Sequence, residues 1–554
     1  MTGAERVWHE LKELGADMVF GVPGGAVLPL VDAQSKHGDM PFIVTRHESA
    51  AIHAADGYAR TSGKPGIALV TSGPGGTNSL TGLMTAMTDS IPIVVLVGQV
   101  PTALIGTDAF QEADVFTMAL SVVKHSWKLE RADDVAQVVR QAYALAKAGR
   151  PGPVLVELPK DVQLAEEGMI PDADPKPSAT PEFELSPTVR ARLRSYLGRA
   201  ERPVLYVGGG VVSSDTADWV KRWAERYDAP VTTTLMGLGA FPASHPLSMG
   251  MLGMHGTYAA NHAIQEADLI VALGVRFDDR VTGRLDRFAP RARIIHIEVD
   301  PAEHNKVVTP DVTLRGDLRS VLPVVDPYVP EAFHSAWISM VKAWKEDHPV
   351  RIPPAPKGHL SSAAVLSHLS QMLDEDDVVV TDVGQHQMWS ALFVQRNKPR
   401  RFVTSGGAGT MGYGLPAAIG AQMAVQLSKV VLISGDGSFQ MTLQELATVS
   451  QYQIPVAIFV MNNGGHGMVR QWQDLFHGQR RHGVALKNPD FVGLARIFGI
   501  PGITVEREDQ LVEALARLHE IQEPLLLEVK VDPDEMVFPM VPSGQSLSEM
   551  IEGR

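Results

Sequence analysis

The sequence predicts an α/β protein made of three doubly wound parallel-sheet domains, of which the first and the third are similar. Apolar runs of strand length alternate with helical patterns along the whole chain, as they do in parallel sheets covered by helices on both faces. The 554 residues also exceed what one hydrophobic core usually supports, so the chain is expected to divide into about three domains.

The strands and the domain boundaries follow from local composition. Strands are predicted at residues 42–44, 67–70, 93–97, 204–207, 269–273, 430–433 and 456–460. The polar stretches 166–190 and 324–360 are rich in proline and are predicted to be linkers. They separate an N-terminal domain, a central domain, a C-terminal domain and a tail, at residues 1–165, 190–325, 355–535 and 536–554.

Two distant segments share landmarks that favour an internal duplication. The first contains Ser-Gly-Pro-Gly from Ser72 and Ile-Pro from Ile91, and the second contains Ser-Gly-Asp-Gly from Ser434 and Ile-Pro from Ile454. The separations between these landmarks are 19 and 20 positions. Any two α/β units share a strand, a glycine turn and a helix, but the common landmarks favour duplication. Two similar sheets that face each other could hold one cofactor between them.

Composition excludes several classes of function. The balance of 49 Lys and Arg against 63 Asp and Glu gives a net charge of −14, which argues against a nucleic-acid or anionic-membrane partner. The chain has no cysteine, so thiolate catalysis and Cys-ligated metals are excluded. No apolar run approaches the roughly 20 residues of a membrane span. A helical pattern begins at the first residues, where a signal or transit peptide would lie, so a cytoplasmic location is expected.

The segment Gly435-Asp436-Gly437-Ser438 follows a predicted strand, and Asn462-Asn463 follows the next helix and strand. Turns after parallel strands lie at the carboxyl edge of the sheet, where ligands of open α/β sheets bind. The glycines let backbone N–H groups approach a phosphate, and Asp436 and Asn463 offer hard oxygen ligands. GDG alone is most often a plain turn. With the later asparagines, it predicts a Mg²⁺-diphosphate site.

This spacing resembles the thiamine-diphosphate enzyme superfamily, and the resemblance implies roles for two further residues. A glutamate placed like Glu48 bonds N1′ of the aminopyrimidine and favours the tautomer that removes the C2 proton. The alternative is a helix N-terminal charge that suits the helix dipole. Met411, in a Gly-rich loop at 405–416, corresponds to the wedge that bends the cofactor. The remaining implied contacts are Val383, Gly384, Gln385, His386, Gly409, Gly435, Gly437 and Ser438.

Within this superfamily the chain resembles the large, catalytic subunit of acetohydroxyacid synthase, also called acetolactate synthase. The landmarks are PGGAVLP, GQVPTALIGTDAFQEAD, PGPVLVELPKDV, GVRFDDRVTG, GDGSFQMTLQELAT, MVRQWQDLF and FPMVPSG. The resemblance implies decarboxylation of pyruvate and ligation of its hydroxyethyl group to pyruvate or 2-ketobutyrate, in branched-chain amino-acid biosynthesis. The N-terminal domain would bind the pyrimidine, and the C-terminal domain would bind the diphosphate and Mg²⁺.

The family resemblance also assigns residues around the reacting centre. Arg280 corresponds to the arginine that recognises the acceptor carboxylate, for which a guanidinium is a suitable partner. Its alternative role is an ion pair with Asp278 or Asp279. Trp472 corresponds to an apolar wall that favours 2-ketobutyrate over pyruvate as acceptor. Other residues implied to cover the centre or to shape substrate access are Gly25, Phe110, Gln111, Lys160 and Met468.

The central domain resembles the FAD-binding, Rossmann-like domain of the same family, where the flavin is structural. A Gly-rich VGGG turn alone would be unspecific. The LGMHG and RFDDR segments strengthen the resemblance and argue against the flavin-free catabolic acetolactate synthases. The implied FAD residues are Gly208, Gly209, Gly210, Thr234, Leu235, Met236, Leu252, Gly253, Met254, His255, Gly274, Arg276, Asp278, Arg280, Val281, Glu298, Val299 and Asp317.

One segment departs from the family pattern. Between Asn463 and Gly467 the chain has Gly464, Gly465 and His466, where the family usually has bulkier residues. The backbone carbonyl of Gly465 is the implied third Mg²⁺ ligand, although extra glycines raise the entropy cost of ordering the segment. His466 is expected to be a solvent-exposed loop residue or a polar contact near the cofactor.

Two other functions compete with the carboligase. A thiamine-diphosphate decarboxylase or pyruvate oxidase should lack Arg280 and Trp472, and a non-catalytic nucleotide-binding protein should lose Glu48 or Asp436. The family resemblance further implies a homodimer or a dimer of dimers, in which Glu48 of one chain completes the Asp436 site of the other. A small regulatory subunit is a further partner that it allows.

Overall fold

The computed structural model describes residues 1–36, 40–168, 183–356, 359–518 and 522–553. These residues form three six-stranded sheets whose strands pair in parallel, which confirms the predicted fold class. All seven predicted strands are present, with ends that differ by at most two residues. Within the described ranges, no helix combines the length and apolar character needed to cross a membrane.

The first sheet has the strand order β2-β1-β3-β4-β6-β5. Its central strand β4 is buried along its whole length, which explains the continuous apolar run in the sequence. The strands are β1 Val19–Val22, β2 Phe42–Val44, β3 Gly66–Val70, β4 Ile93–Gln99, β5 Ser126–Lys128 and β6 Val154–Pro159. The helices are α1 Gly3–Glu13, α2 Leu28–Ser35, α3 Glu48–Ser62, α4 Pro74–Asn78, α5 Leu80–Asp89, α6 Val115–Ala119, α7 Val135–Lys147 and α8 Lys160–Leu164.

The middle sheet has the order β12-β11-β10-β7-β8-β9, the doubly wound arrangement of dinucleotide-binding domains. Its strands are β7 Pro203–Val207, β8 Val231–Thr233, β9 Ser248–Met251, β10 Leu269–Leu273, β11 Arg293–Glu298 and β12 Val312–Arg315. Its helices are α9 Pro187–Arg199, α10 Gly209–Ser213, α11 Ala217–Tyr227, α12 Tyr258–Glu266, α13 Asp279–Thr282, α14 Leu318–Val325 and α15 Ser335–Asp347.

The third sheet, β14-β13-β15-β16-β18-β17, repeats the order of the first strand for strand. This confirms that the first and third domains are similar. Its strands are β13 Val378–Thr381, β14 Phe402–Val403, β15 Val430–Gly435, β16 Val456–Asn462, β17 Gly502–Val505 and β18 Leu525–Lys530. Its helices are α16 Ser362–Met372, α17 Gln385–Phe393, α18 Gly414–Ala424, α19 Asp436–Phe439, α20 Leu446–Gln451, α21 Gly467–Phe476, α22 Phe491–Ile497 and α23 Glu508–Arg517.

Each of the two stretches predicted to be a linker contains part or all of a helix. Residues 335–347, expected to be irregular, form α15, because Trp337, Ile338 and Val341 supply a buried face and the prolines lie outside the helix. In the other stretch, Pro187 is the first residue of α9 rather than a breaker, since proline suits the first turn of a helix. Residues 169–182 of that stretch lie outside the described residues.

The first and third domains pack together through α3 and α18. The two helices approach so closely that a methyl group at Gly57 would overlap the backbone of Ala417, and one at Gly420 would overlap that of Ala54. One hydrophobic cluster contains residues from both sheets, including Phe20 and Leu432. The two domains therefore share one core although the middle domain separates them in sequence.

The C-terminal tail connects the third domain to the middle one. The side-chain amide of Gln471, in α21, donates to the carbonyl of Val537 at 3.1 Å and accepts from its N–H at 2.8 Å. Four residues further on, the Val541 N–H donates to the carbonyl of Met254 at 2.7 Å. Leu547 is buried in the core of the middle domain. The tail therefore fixes α21 relative to the loop that follows β9.

Candidate active site

A cleft lies at the carboxyl edge of the third sheet, between β13 and β15, where the strand order reverses. Such a switch point is the usual ligand site of an open α/β sheet. The cleft, here called the Asp436 cleft, has a cavity volume of about 80 Å³. Its lining includes, from the predicted residues, Val383, Gly384, Gln385, His386, Met411, Gly435, Asp436, Gly437, Ser438, Asn463, Gly465 and Met468. Gly409, with φ of 61°, is not part of the lining, although a methyl group on it would contact the Val383 side chain at 3.9 Å.

His386 presents an unpaired nitrogen at the Asp436 cleft. A methyl group at Gly435 would lie 2.8 Å from its Nδ1, so the imidazole packs directly on the glycine turn. Its Nε2 is buried and has no hydrogen-bond partner among the described residues. Burial lowers the pKa of His386 to about 3, so the ring is neutral. A neutral imidazole with a free nitrogen suits a bound polar group, since buried polar atoms are normally paired.

Asp436 is buried at the first turn of α19, and its carboxylate accepts from Asn488 Nδ2 at 2.6 Å. Burial raises its pKa, against the effect of that hydrogen bond. Asn463 Oδ1 accepts from the Gly465 N–H at 3.2 Å. The described residues contain no cluster of three His, Cys, Asp or Glu that could hold a metal. One carboxylate with amide and carbonyl oxygens fits Mg²⁺ when a diphosphate supplies further ligands.

Asp382 is a site residue that the sequence reasoning missed. Its carboxylate accepts from the N–H groups of Val383 at 2.8 Å, Gly412 at 2.9 Å and Gly414 at 3.1 Å. Burial raises its pKa to about 6. Asp382 therefore joins the turn after β13 to the loop that carries Met411. The available signal was its position directly after the apolar run at 378–380, which was not predicted as a strand and forms the buried strand β13 in the structure.

The Gly464-Gly465-His466 segment is held by neighbouring backbone. The His466 N–H donates to the carbonyl of Val484 at 2.8 Å, and the Leu486 N–H donates to that of Gly464 at 2.9 Å. His466 is half-buried and lines the Asp436 cleft, so it is not the solvent-exposed loop residue that we expected first. A methyl group at Gly437 would lie 2.9 Å from its ring, which places the imidazole against the GDG turn.

The predicted residues of the first domain lie at the carboxyl edge of their own sheet. Glu48 begins α3, and its carboxylate accepts from Asn78 Nδ2 at 2.9 Å. The others follow β1, β4 and β6: Gly25, Phe110, Gln111 and Lys160. The Phe110 side chain is 88% exposed. None of the five lines the Asp436 cleft.

Arg280 and Trp472 lie on elements that the C-terminal tail connects. The Met254 N–H donates to the carbonyl of Arg280 at 2.7 Å, so α13 is held beside the tail. The Arg280 guanidinium is 3.7 Å from the Asp279 carboxylate, and both are exposed, so this ion pair is weak. The indole Nε1 of Trp472 is buried and has no hydrogen-bond partner among the described residues.

The residues implied to bind FAD follow the carboxyl ends of all six strands of the middle sheet. The turns after β7 and β10 meet at the switch point, where a methyl group at Gly210 would lie 2.6 Å from the Gly274 Cα. At this edge Glu298 is buried, which raises its pKa to about 7. His255 Nε2 is buried and lacks a partner among the described residues. Close backbone packing with unpaired polar atoms fits a bound dinucleotide.

Comparison with known proteins gives matches along most of the chain. Family models for thiamine pyrophosphate enzymes match the N-terminal TPP binding domain at residues 1–118, the central domain at 191–325 and the C-terminal TPP binding domain at 382–529. The chain is 46% identical to an acetolactate synthase large subunit of Parasynechococcus marenigrum, over 100% of this chain and 91% of the relative. It is 45% identical to the acetolactate synthase isozyme 2 large subunit of Escherichia coli K12, over 100% of both.

Proposed function

Because the chain belongs to the family of acetolactate synthase large subunits, which are thiamine pyrophosphate enzymes, we propose that its acetolactate synthase reaction takes place at the Asp436 cleft. There the first substrate, pyruvate, is decarboxylated, and its remaining two carbons are joined to a second 2-ketoacid. The observation that carries the assignment is the meeting of Asp436, Asn463, His386 and Met411 around one cleft. The test is formation of acetolactate from pyruvate with thiamine diphosphate and Mg²⁺. Acetaldehyde as the only product would favour the decarboxylase alternative.

The residues of the cleft have separate tasks in binding. Thiamine diphosphate, when bound, supplies the electron sink for decarboxylation. Asp436, the Asn463 amide and the Gly465 carbonyl would hold Mg²⁺, and the glycine turns would present N–H groups to the diphosphate. His386 Nε2 and Gln385 complete the polar contacts. Met411 would pack against the bound cofactor, and Glu48 would share a proton with its aminopyrimidine nitrogen N1′.

We assign Glu48 to the cleft of a second copy of the chain, in a homodimer or a dimer of dimers. This is supported by the absence of Glu48 from the cleft of its own chain and by exposed apolar side chains near the same sheet edge. These side chains include Leu104, Phe110 and Met118. The relatives are named large subunits, so a small regulatory subunit is a further proposed partner.

The middle domain is proposed to bind FAD, and the purified protein is therefore expected to be yellow. The flavin should stay oxidised through turnover with pyruvate, because its proposed role is structural. The visible absorbance of the flavin, followed during the reaction and calibrated against released flavin, measures both properties. Full activity in a flavin-free preparation would contradict the proposal.

Arg280 and Trp472 are proposed to contact different parts of the acceptor, so their substitutions should have separable effects. Arg280→Gln should reduce ligation to pyruvate and to 2-ketobutyrate alike, because both carry the carboxylate. Trp472→Leu should reduce only the preference for 2-ketobutyrate, by the roughly 1–3 kcal/mol that contact with one methylene provides. The ratio of acetohydroxybutyrate to acetolactate under competition is the measurement. A ratio changed mainly by Arg280→Gln would contradict this assignment.

A further inference from the structure

The turn formed by Gly406 and Gly407 lies where the three domains meet. A methyl group at Gly406 would lie 2.5 Å from Met236 Sδ of the middle domain. One at Gly407 would lie 3.0 Å from Asp89 Oδ1 of the first domain and 3.2 Å from Arg276 Nη2 of the middle domain. Both glycines are therefore closely packed, so a side chain at either would require the turn or its neighbours to shift. The turn belongs to the loop that places Met411 in the Asp436 cleft.

The side chain of Asp89 holds this turn through hydrogen bonds to the backbone of the turn. Its carboxylate accepts from the N–H of Gly406 at 3.0 Å and from that of Gly407 at 2.7 Å. The same carboxylate forms an ion pair with Arg60 at 2.8 Å, and Arg60 is also 2.5 Å from Asp56. The Asp89 side chain is 0% exposed. Buried, charge-assisted hydrogen bonds of this kind are about twice as strong as neutral ones.

The same loop is held at two further points, the residues directly before and directly after Met411. The hydroxyls of Thr410 and Thr85 are 2.7 Å apart, and the Gly412 N–H donates to Asp382 at 2.9 Å. Asp382 belongs to the third domain, whereas Asp89 belongs to the first. Met411 therefore lies between two carboxylates that anchor its loop to different domains.

We propose that Asp89 is a positioning residue that sets the Met411 loop for cofactor binding, although it does not line the Asp436 cleft. The proposal rests on the proposed function, because it assigns Met411 to the support of thiamine diphosphate. The Asp89 carboxylate accepts from the two N–H groups of the turn and from the Arg60 guanidinium. In Asp89→Asn one of the two oxygens becomes an NH₂ group, which donates and cannot accept, so at least one backbone hydrogen bond to the turn is lost.

Asp377→Asn is a matched control. Asp377 is also buried and accepts two backbone N–H groups, from Asp374 at 2.9 Å and from Lys429 at 3.0 Å. It precedes β13, so it lies at the opposite edge of the third sheet from the Asp436 cleft. Loss of stability alone should therefore appear in both variants, whereas an effect on the Met411 loop should appear only in Asp89→Asn.

The first measurement is amide hydrogen exchange of residues 405–414 in protein without thiamine diphosphate or Mg²⁺. We expect exchange about tenfold faster in Asp89→Asn and unchanged in Asp377→Asn, as loss of a hydrogen bond to a charged group predicts. Equal exchange in Asp89→Asn and the parent protein would overturn the proposal. This readout does not depend on the proposed function, because no cofactor is present.

The second measurement is the affinity for thiamine diphosphate with Mg²⁺ in excess, by calorimetric titration. Asp89→Asn should weaken it about tenfold and Asp377→Asn should leave it unchanged. Faster loop exchange with unchanged affinity would overturn the positioning role. A parent protein that does not bind thiamine diphosphate would contradict the proposed function instead.

A second variant keeps the test decisive if Asp89→Asn does not fold. Gly407→Ala leaves the Asp89 charge in place but brings a methyl group to 3.0 Å from Asp89 Oδ1 and 3.2 Å from Arg276 Nη2, so the turn or these side chains must shift by a few tenths of an ångström. It should also speed loop exchange and weaken cofactor binding. Gly198→Ala is its control, since a methyl group there meets nothing within 4 Å. Gly407→Ala behaving like Gly198→Ala would overturn the proposal.

Discussion

Glu48→Gln is expected to lower acetolactate synthesis at least about 100-fold while thiamine diphosphate still binds with near-normal affinity. General acid–base catalysis contributes about 10²–10⁴-fold to enzymatic rates, and glutamine cannot share a proton with N1′ as a carboxylate does. The fold should be preserved, because Asn78 can still donate to the amide oxygen that replaces the carboxylate. Turnover at saturating cofactor and calorimetric cofactor affinity separate the two effects.

A buried glutamate of the same sheet provides the control for this variant. Glu157, on β6, is buried and accepts from Gln99 at 2.9 Å, a hydrogen bond that the amide oxygen of glutamine can also accept. Glu157→Gln should retain activity. Full turnover in Glu48→Gln at saturating cofactor would show that the assignment of Glu48 to N1′ is wrong.

Asp436→Ala is expected to weaken binding of thiamine diphosphate by at least about 100-fold, and excess Mg²⁺ should restore it only in part. The methyl side chain removes the one carboxylate of the proposed metal site, so the diphosphate charge is poorly compensated. Titration of the cofactor at several Mg²⁺ concentrations measures both effects. Asp490→Ala, which removes an N-cap hydrogen bond of α22, is a control that should lower stability and leave affinity unchanged.

The two variants together test whether the site is shared between chains. When Glu48→Gln and Asp436→Ala proteins are mixed and allowed to exchange subunits, a mixed dimer has one site with both native residues only if they come from different chains. A statistical mixture should then recover about one quarter of the parent activity. No recovery, with subunit exchange shown independently, would place both residues in one chain.

The sequence pattern predicted the GDG turn and Asn463 at the ends of two strands, and the family resemblance added the turn after β13 and the Met411 loop. The GDG turn, Asn463, the turn after β13 and the Met411 loop all border one cleft, because parallel strands bring their carboxyl ends to one edge. The strand order of the third sheet repeats that of the first, as the shared landmarks had indicated.

Contacts between distant segments were beyond sequence reasoning. Nothing local shows that His466 turns its ring onto Gly437, since this depends on hydrogen bonds to residues 484–486. The pairing of Asp89 with Gly406 and Gly407 joins residues more than 300 positions apart. The helix at 335–347 was missed because prolines on both sides outweighed its apolar face.

The hydrophobic cluster that the first and third domains share has a consequence for how the protein unfolds. Unfolding is cooperative where apolar contacts are continuous, and here they run from Phe20 across α3 and α18 to Leu432. The segment that unfolds cooperatively around the Asp436 cleft is therefore discontinuous in the chain. Neither the first nor the third domain alone covers the shared cluster. A fragment that ends after the first domain would expose the Ala and Gly face of α3 and become prone to aggregation.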